Sequence, residues 1–508
     1  MLSLIDSGPY PPCPSPFNLA GHVLARAASL GSKTALAVVG DGEAQDMSYA
    51  ALQAAVLGTA GGFQAAEFQP GDVILMRLGN TLDFPIAYLG ALAAGLVPVP
   101  TSPSLTAPEV ARIMAELTPR LVLHDPDIAT ATGAPHMGIH TLRTLRDHAP
   151  GKLHMDAPDR LGYIVYTSGT SGQPRAVGHA HRAIWARQMM FRNWYGLTES
   201  DVVLHAGAFN WTYTLGTGLM DPWTVGATAL IPAPDTHPEA LGALLQAHDA
   251  TIFAAAPGVY RQMLDRSTLP ALPHLRHGLS AGEKMPSVLH SRWAEATGTP
   301  VFEAYGMSEC STFVSSSPEA PCADTALGRP QPGRRVAIVG PDGPVPLGTS
   351  GTIAVHRSDP GLMLEYIGAP DETADRFQGD WFLTGDTGEM NASGEITYLG
   401  RSDDMMNAGG FRVSPIEVEM VVAAAPGVTA CGVTEVELAA GKRIIVAFYT
   451  GREAADENEL HAHAAAHLAR YKQPRAYVHL PLLPFGPNGK LVRRRLHQFW
   501  PKSRKTTS

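Results

Sequence analysis

Apolar and polar residues between positions 17 and 160 follow two alternating spacings. Apolar residues at helical spacing predict helices over Leu19 to Leu30, Ala50 to Ala65 and Phe84 to Ala94. Short, nearly continuous apolar runs predict strands over Thr34 to Val39, Val73 to Arg77 and Leu121 to His124. Strands that alternate with helices favour right-handed crossovers and a mostly parallel, covered sheet, which places ligands near the carboxyl ends of the strands.

The alternation of predicted strands and helices continues further along the chain, and a different pattern follows it. Further short strands are predicted over Val202 to Leu204, Thr228 to Leu230 and Thr251 to Ala255. From about residue 333, Gly/Pro turns separate β-type segments and predict a β-rich subdomain, with strands over Val336 to Val339, Thr352 to His356 and Glu395 to Leu399.

A polar Arg-Ser-Asp-Asp segment beginning at Arg401 marks the main predicted domain boundary. The unit behind it mixes a strand, Ile444 to Tyr449, with a helix, Glu457 to Leu468. The sequence therefore predicts an α/β protein: a large N-terminal domain, residues 1–400, of covered and mostly parallel sheets with a β-rich subdomain, and a small α+β C-terminal domain, residues 401–508.

Composition and charge exclude several classes of protein. The chain has 508 residues, 45% of them hydrophobic, and a formal net charge of −9, so it can bury a core in each domain and lacks the basic field that nucleic-acid binding needs. The uncharged stretch from Phe84 to Pro108 is interrupted by Gly and Pro, which predicts a buried helix and a short strand rather than a membrane span. Four scattered cysteines and a start without a basic leader favour the reducing cytoplasm.

The strongest chemical signal is the segment from Tyr166 to Arg175, which follows the strand-like Leu161 to Val165. Backbone N–H groups and hydroxyls in a Gly/Ser/Thr loop can surround phosphate oxygens, and the cation at its end balances their charge. A flexible surface turn is the alternative. The Walker spacing is absent, so the segment indicates a different nucleotide chemistry.

Eight motifs in a fixed order make the chain resemble the adenylate-forming superfamily, which contains acyl-CoA synthetases, adenylation domains of peptide synthetases and firefly luciferase. The resemblance covers nearly the whole chain and is closest to AMP-forming acyl- or aryl-CoA ligases of the benzoate–CoA ligase type. The motifs are Tyr166–Arg175, Ser280–Glu283, Glu303–Glu309, Thr384–Asp386, Gly400–Asp404, Gly409–Glu419, Tyr471–Arg475 and Pro487–Lys490.

The resemblance implies a site for ATP and Mg²⁺. Ala281, Gly282 and Tyr305 would bracket the adenine, Asp386 and Arg401 would contact the ribose, and Arg412 a phosphate. Glu309 would hold Mg²⁺, which prefers hard oxygen ligands, although a surface Glu after a turn is the alternative. The remaining implied nucleotide-binding residues are Thr167, Ser168, Gly169, Thr170, Ser171, Gly172, Arg175, Glu283, Glu303, Ala304, Gly306 and Ser308.

The implied catalytic residues are Lys490, Glu309 and Thr170. Lys490 would stabilise the negative charge that develops when the substrate carboxylate attacks the α-phosphorus. The small C-terminal domain of the family is mobile, and Asp403 would be its hinge. Gly409 and Gly410 would allow close approach of the acyl-adenylate and the pantetheine arm.

Residues Phe209 to Tyr213 correspond to the acyl pocket of the family, together with Gly282 and Thr312. Asn210 replaces the aspartate that amino-acid-activating relatives use, so an uncharged acid is predicted. Thr312 replaces a histidine of benzoate ligases, and Arg175 replaces the usual lysine. The acyl-pocket residues are Phe209, Asn210, Trp211, Thr212, Tyr213, Gly282 and Thr312.

The resemblance predicts an ATP- and Mg²⁺-dependent ligase that activates an aromatic or short- to medium-chain carboxylic acid and transfers the acyl group to coenzyme A. Two alternatives stay open: an enzyme that loads a separate carrier protein, and a catalytically silent nucleotide-binding protein. The partners are thus small molecules, with no nucleic acid and no membrane. The identity of the acid and the oligomeric state, a homodimer included, are open.

Overall fold

Two sheets of parallel strands form where short apolar runs alternate with helices. The computed structural model describes residues 1–40, 42, 44–167, 174–234, 236–323, 325–402, 404–408, 411–439, 442–486 and 491–500, with the backbone alone for residues 407, 408, 411, 412, 438, 439 and 442. The smaller sheet is wholly parallel, in the order Val97–Pro100, Val73–Arg77, Leu121–His124 and His136–Gly138.

The larger sheet has a parallel centre and an antiparallel continuation. Its parallel strands run, in order, Thr34–Val39, Thr228–Pro232, Val202–His205, Ile252–Ala255, His277–Ala281 and Val301–Met307, and Gln45–Ser48 pairs antiparallel at the edge. The antiparallel continuation runs Ser311–Ser315, Ala326–Pro330, Ile396–Arg401, Trp381–Met390, Gly351–His356, Arg335–Gly340 and Leu4–Asp6, with Gly343–Pro344 and Phe377–Gln378 as short additions.

Three small sheets complete the strands. A three-stranded sheet has the order Glu365–Tyr366, Arg175–Ala180 and Leu161–Thr167, and a two-stranded sheet pairs Met406–Ala408 with Phe411–Val413. The C-terminal sheet consists of Ala430–Ala439, Lys442–Thr450 and Ala476–His479.

The helices begin at local capping signals and bury apolar faces. Ser48 caps the longest one, since its Oγ accepts the N–H of Ala51 at 3.2 Å, and Thr106 and Glu109 form a capping box. The α-helices are Leu19–Val23, Ala27–Leu30, Tyr49–Ala65, Asp83–Ala94, Ala107–Leu117, Ile139–Thr144, Ala183–Ala186, Gln188–Met190, Asp221–Val225, Leu241–Ala247, Pro257–Arg266, Ser287–Thr297, Pro370–Asp375, Pro415–Ala423 and Glu457–His467. The 3₁₀ and π segments are Leu145–Asp147, Phe191–Tyr195, Thr214–Met220, Pro238–Ala240 and Arg493–Phe499.

Most predicted elements are confirmed, including the parallel sheets, the β-rich continuation and the buried helix with its short strand after residue 83. One prediction was wrong: the run from Leu19 to Leu30 is two short helices, Leu19–Val23 and Ala27–Leu30. Arg26 lies between them and bonds to the Val225 carbonyl and the Glu199 carboxylate, so a tertiary contact overrides the local periodicity. None of the helices in the described ranges is long and apolar enough to cross a membrane.

Candidate active site

A β-hairpin flanks the predicted phosphate loop. Strands Leu161–Thr167 and Arg175–Ala180 pair antiparallel, and Thr167 lies opposite Arg175. The Arg175 guanidinium forms a partly exposed ion pair with Glu372 at the end of this hairpin. Several predicted site residues fall outside the described residues: Ser168, Gly169, Thr170, Ser171, Gly172, Asp403, Gly409, Gly410, Lys490 and the side chain of Arg412.

The predicted adenine and ribose residues meet at one point. Asp386 and Arg401 lie opposite each other on paired strands, and Arg401 Nη1 is 3.1 Å from Asp386 Oδ1. The Tyr305 hydroxyl donates to Asp386 Oδ2 at 2.5 Å. Burial raises the pKa of Asp386, while Arg401 and the Tyr305 hydroxyl act against that rise. The result is a buried carboxylate fixed from two sides, a suitable acceptor for ribose hydroxyls.

The wall beside this carboxylate comes from the carboxyl ends of two parallel strands. Ala281 ends the strand His277–Ala281 and lies beside Ala304 on the next strand. Gly282 follows with a φ of +100°, a conformation in which glycine carries no steric cost, and Glu283 continues the turn. Gly306 extends the neighbouring strand. The sequence motifs for adenine binding are therefore adjacent in space.

Glu303 has its carboxylate surrounded by protein donors. Lys284 Nζ donates to Oε1 at 2.8 Å, a ring nitrogen of His290 lies 2.7 Å from the same oxygen, and the Met285 N–H donates to Oε2 at 3.3 Å. Because its carboxylate already has these partners, this geometry suits Glu303 to holding the turn at Gly282 in place.

Glu309, the predicted Mg²⁺ ligand, is buried and held from two directions. The Tyr366 hydroxyl donates to Glu309 Oε1 at 2.6 Å, and the Met363 N–H donates to the Glu309 carbonyl at 2.7 Å. The positive charge of Arg376 acts against the rise in pKa at both Asp386 and Tyr366.

The segment Phe209–Tyr213, which is predicted to line the acyl pocket, is rich in aromatic side chains that pack against one another and against their neighbours. Tyr213 stacks on Trp194 with ring centroids 5.8 Å apart, and Trp211 meets Tyr213 edge-on at 5.5 Å. The Phe209 N–H donates to Asn80 Oδ1 at 2.9 Å, which fixes the start of the segment. The hydroxyl of Thr312, another predicted pocket residue, contacts the Met190 sulfur.

A partly open cavity next to this segment is lined partly by residues that the sequence analysis did not assign to the site. Thr212 and Ser308, both predicted site residues, line it together with Tyr163, His179 and Arg187. His179 stacks on Tyr163 with centroids 5.0 Å apart, and one ring nitrogen lies 2.7 Å from the Ser308 carbonyl oxygen. Strand alternation could have placed Tyr163 and His179 together, since they are cross-strand partners.

The charged side of that cavity is a buried ion pair. Arg187 donates to both carboxylate oxygens of Asp221, at 2.8 and 2.6 Å, and the Tyr195 hydroxyl donates to Asp221 Oδ2 at 2.7 Å. Arg187 also bonds to the Ser311 hydroxyl. A buried Arg with a bidentate carboxylate partner is positioned rigidly, so it fixes the loop between Glu309 and Thr312.

The structure describes residues on both sides of the segment that carries Lys490, and these residues make contacts within the C-terminal unit and with Arg261 of the helix Pro257–Arg266. Phe485 and Leu491 form an isolated antiparallel bridge, and Arg261 lies 5.8 Å over the Phe485 ring. Arg493 donates to Asp404 at 2.8 Å and to Glu419 at 2.7 Å. Asp404 directly follows Asp403, the predicted hinge residue, and Arg493 lies three residues after Lys490, so this ion pair joins the chain just after each of these two predicted positions.

Comparison with known proteins identifies the family. The model of the AMP-binding enzyme family matches residues 24–367, and that of the AMP-binding enzyme C-terminal domain matches residues 417–490. The benzoate–CoA ligase of Thauera aromatica is 32% identical over 460 residues, covering 84% of this chain and 86% of the relative. The chain therefore belongs to the AMP-binding enzyme family, and within it to the acid–CoA ligases.

Further relatives agree in fold and length. A 3-hydroxybenzoate–CoA ligase of Aromatoleum sp. (strain CIB) is 27% identical, covering 90% of this chain and 92% of the relative. The crystal structure of a benzoate CoA ligase from Burkholderia xenovorans LB400 superposes with a TM-score of 0.84 at 28% identity, covering 95% and 100% of the two chains. An anthranilate CoA ligase in complex with anthranoyl-AMP has a TM-score of 0.87 at 23% identity, covering 96% and 98%. The adenylate-forming fold predicted from the motifs is confirmed.

Proposed function

We propose that this enzyme joins an aromatic or short- to medium-chain carboxylic acid to coenzyme A, with ATP converted to AMP and pyrophosphate. The observation that supports this proposal most directly is the buried Asp386 carboxylate, which is held by Tyr305 and Arg401. A carboxylate fixed in this way beside a glycine-containing turn is suited to a nucleoside. The substrate names of the aryl–CoA ligase relatives support an aromatic acid.

In the proposed first half-reaction, a carboxylate oxygen of the acid attacks the α-phosphorus of ATP. The bond to the β-phosphate oxygen breaks, which gives an acyl-adenylate and pyrophosphate. Asp386 accepts the ribose hydroxyls, and residues 167–172 together with Arg175 surround the leaving phosphates. Lys490 and Thr170 stabilise the negative charge on the transferring phosphorus, and Arg412 contacts a phosphate.

Mg²⁺ fits the donor set at Glu309. The carboxylate is buried, it is an oxygen donor of the kind Mg²⁺ prefers, and the Tyr366 hydroxyl fixes its orientation. When bound, the ion would supply charge neutralisation at the phosphate oxygens.

In the proposed second half-reaction, the thiol sulfur of coenzyme A attacks the acyl carbon of the adenylate. The thiol loses its proton, the bond to the phosphate oxygen breaks, and AMP leaves. We propose that the C-terminal domain, residues 401–508, rotates about Asp403 between the two steps, and that Gly409 and Gly410 then admit the pantetheine arm. The predicted reducing cytoplasm suits a thiol substrate.

A carrier protein in place of coenzyme A is the remaining alternative acceptor, and one experiment separates the candidates. Purified protein is incubated with ATP, Mg²⁺ and a panel of benzoates, cinnamates and straight-chain acids, each with and without coenzyme A. AMP formation that depends on coenzyme A and on one class of acid is the expected result. Pyrophosphate release without consumption of coenzyme A favours the carrier protein, and silence across the panel contradicts the proposal.

A further inference from the structure

A contact between an arginine and an aromatic ring joins the two predicted domains beside the segment that carries Lys490. Arg261, in the helix Pro257–Arg266, lies over the ring of Phe485, with its Cζ atom 5.8 Å from the ring centroid. Both side chains are half-buried. A cation within about 6 Å of a ring centroid is attracted by the negative face of the ring. Because the predicted domain boundary at residue 401 lies between these two residues, the contact crosses that boundary.

The parallel sheet sets the position of Arg261 in the N-terminal domain. The helix that contains Arg261 follows the strand Ile252–Ala255, and Ala255 is the neighbour of Ser280 on the next parallel strand. That neighbouring strand ends at the turn of Gly282, which is predicted to contact the adenine. Since Arg261 is the fifth residue of its helix, it lies about one helical turn from the sheet edge at which the nucleotide is predicted to bind.

The guanidinium of Arg261 has no competing polar partner in the described part of the chain. It forms no hydrogen bond and no ion pair with a described residue. Residues four apart share one face of a helix, which makes Asp265 the acidic neighbour of Arg261. The Asp265 carboxylate already accepts a hydrogen bond from Arg292 Nη2 at 2.8 Å. The ring of Phe485 is therefore the described group that fixes the Arg261 guanidinium.

Phe485 is anchored to the C-terminal unit on both sides of the segment that carries Lys490. Its backbone pairs with Leu491 in an antiparallel bridge, and the Val492 N–H donates to the Pro484 carbonyl at 2.8 Å. The side chains of Phe485 and Leu491 both pack against the apolar cluster under the C-terminal sheet. Lys490 directly precedes Leu491 in the chain. Whatever holds the Phe485 ring in place therefore also holds the base of the segment that carries Lys490.

We propose that Arg261 and Phe485 are positioning residues for adenylate formation, because their contact holds the segment that carries Lys490 against the N-terminal domain at the nucleotide edge. This inference rests on the proposed ligase function and its domain rotation, and it adds two residues that lie outside the eight sequence motifs. A contact between the domains breaks when one of them rotates about Asp403. The contact therefore favours the first half-reaction and contributes nothing to the second.

The test measures the two half-reactions separately, with an acid that the wild-type enzyme uses. Arg261→Met removes the charge and keeps a long side chain, and Phe485→Leu removes the ring and keeps an apolar residue. Each variant should slow acid-dependent pyrophosphate release about 2- to 5-fold, the effect of one cation–ring contact at a partly exposed site. Neither should slow the conversion of a supplied acyl-adenylate to the thioester. Phe485→Tyr, which keeps the ring, should retain the wild-type rates.

Two comparisons distinguish the contact from a general loss of structure. The double variant Arg261→Met with Phe485→Leu should be no slower in pyrophosphate release than either single variant, because both changes remove the same contact. Arg357→Met is the matched control, since Arg357 lies 5.0 Å over the ring of Phe377 within the N-terminal domain. This control should keep the wild-type ratio of the two half-reactions.

The outcomes separate this inference from the function on which it rests. Wild-type rates of pyrophosphate release in both single variants, an equal loss in the two half-reactions, or additive losses in the double variant overturn the inference alone. Arg261→Met and Phe485→Leu test the contact from its two sides, so if one of them does not fold, the other decides. Failure of the wild-type enzyme to form coenzyme A-dependent AMP with any acid overturns the proposed function, and the inference falls with it.

Discussion

Removing the hydrogen bond between the Tyr305 hydroxyl and Asp386 is predicted to weaken the binding of ATP. Tyr305→Phe removes the donor 2.5 Å from Asp386 Oδ2 and leaves the ring contacts with Phe313, at 5.3 Å, and Tyr398, at 6.0 Å. The fold should therefore survive. The carboxylate loses one of the two groups that fix it.

The expected size of the effect follows from the type of bond. A hydrogen bond to a charged group contributes about 1.5–3 kcal/mol, which sets the upper bound of the loss in kcat/KM for ATP at about 10- to 150-fold, because the bond orients Asp386 and does not itself contact ATP. The hydroxyl also acts against the raised pKa of Asp386. Its removal raises that pKa further, so activity should fall away at a higher pH on the acid side of the profile.

The assay is acid-dependent pyrophosphate release measured over ATP concentration and pH. Tyr49→Phe is the matched control, because its buried hydroxyl donates to the Ala227 carbonyl at 2.6 Å in another part of the fold. The control should leave the KM for ATP unchanged. If Tyr305→Phe binds ATP as the wild type does, with the same pH profile, the assignment of Asp386 to the ribose is wrong.

Three further predictions concern catalysis, stability and selectivity. Lys490→Ala should slow adenylate formation by about 10²–10³-fold, yet still convert a supplied acyl-adenylate to the thioester; equal loss of both steps would refute the two-pose mechanism. Free amino acids should be poor substrates because Asn210 replaces an aspartate, and a faster rate with any of them than with uncharged acids contradicts this. Thermal unfolding should show stability falling as the pH drops from about 6.5 towards 4, because the unfolded chain takes up protons there that the buried neutral histidines of the folded chain do not; an unchanged Tm over that range contradicts it. The histidines are His179 and His277, with a pKa of about 4, and His181 and His205, with a pKa of about 3.

The sequence predicted those parts of the fold that depend on local patterns. Strands such as Thr34–Val39 and Val73–Arg77 follow from short apolar runs, and the helix Tyr49–Ala65 follows from the spacing of its apolar residues. The break between Leu19–Val23 and Ala27–Leu30 could not be read locally, because it depends on contacts of Arg26 with residues about 170 to 200 positions away.

The candidate site likewise has residues that sequence motifs predicted and residues that only the three-dimensional structure brings together. The ordered motifs named Asp386, Arg401 and Tyr305, and the structure brings these three together. The ion pair of Arg187 with Asp221 depends on packing between the short helices around Arg187 and the π-helical segment Thr214–Met220, since Arg187 also donates to the Thr217 hydroxyl. No sequence motif marks this ion pair, because a buried arginine looks ordinary until its neighbours are known.

The most direct test of the central claim follows the oxygen atoms of the acid. An acid used by the enzyme is labelled with ¹⁸O in its carboxylate and converted with ATP and coenzyme A, and the products are analysed by mass spectrometry. Attack of the carboxylate on the α-phosphorus predicts one ¹⁸O atom in AMP, one retained in the thioester and none in pyrophosphate. Two outcomes would contradict the acyl-adenylate mechanism: unlabelled AMP with labelled pyrophosphate, which shows attack at the β-phosphorus, or ADP with labelled inorganic phosphate, which shows attack at the γ-phosphorus.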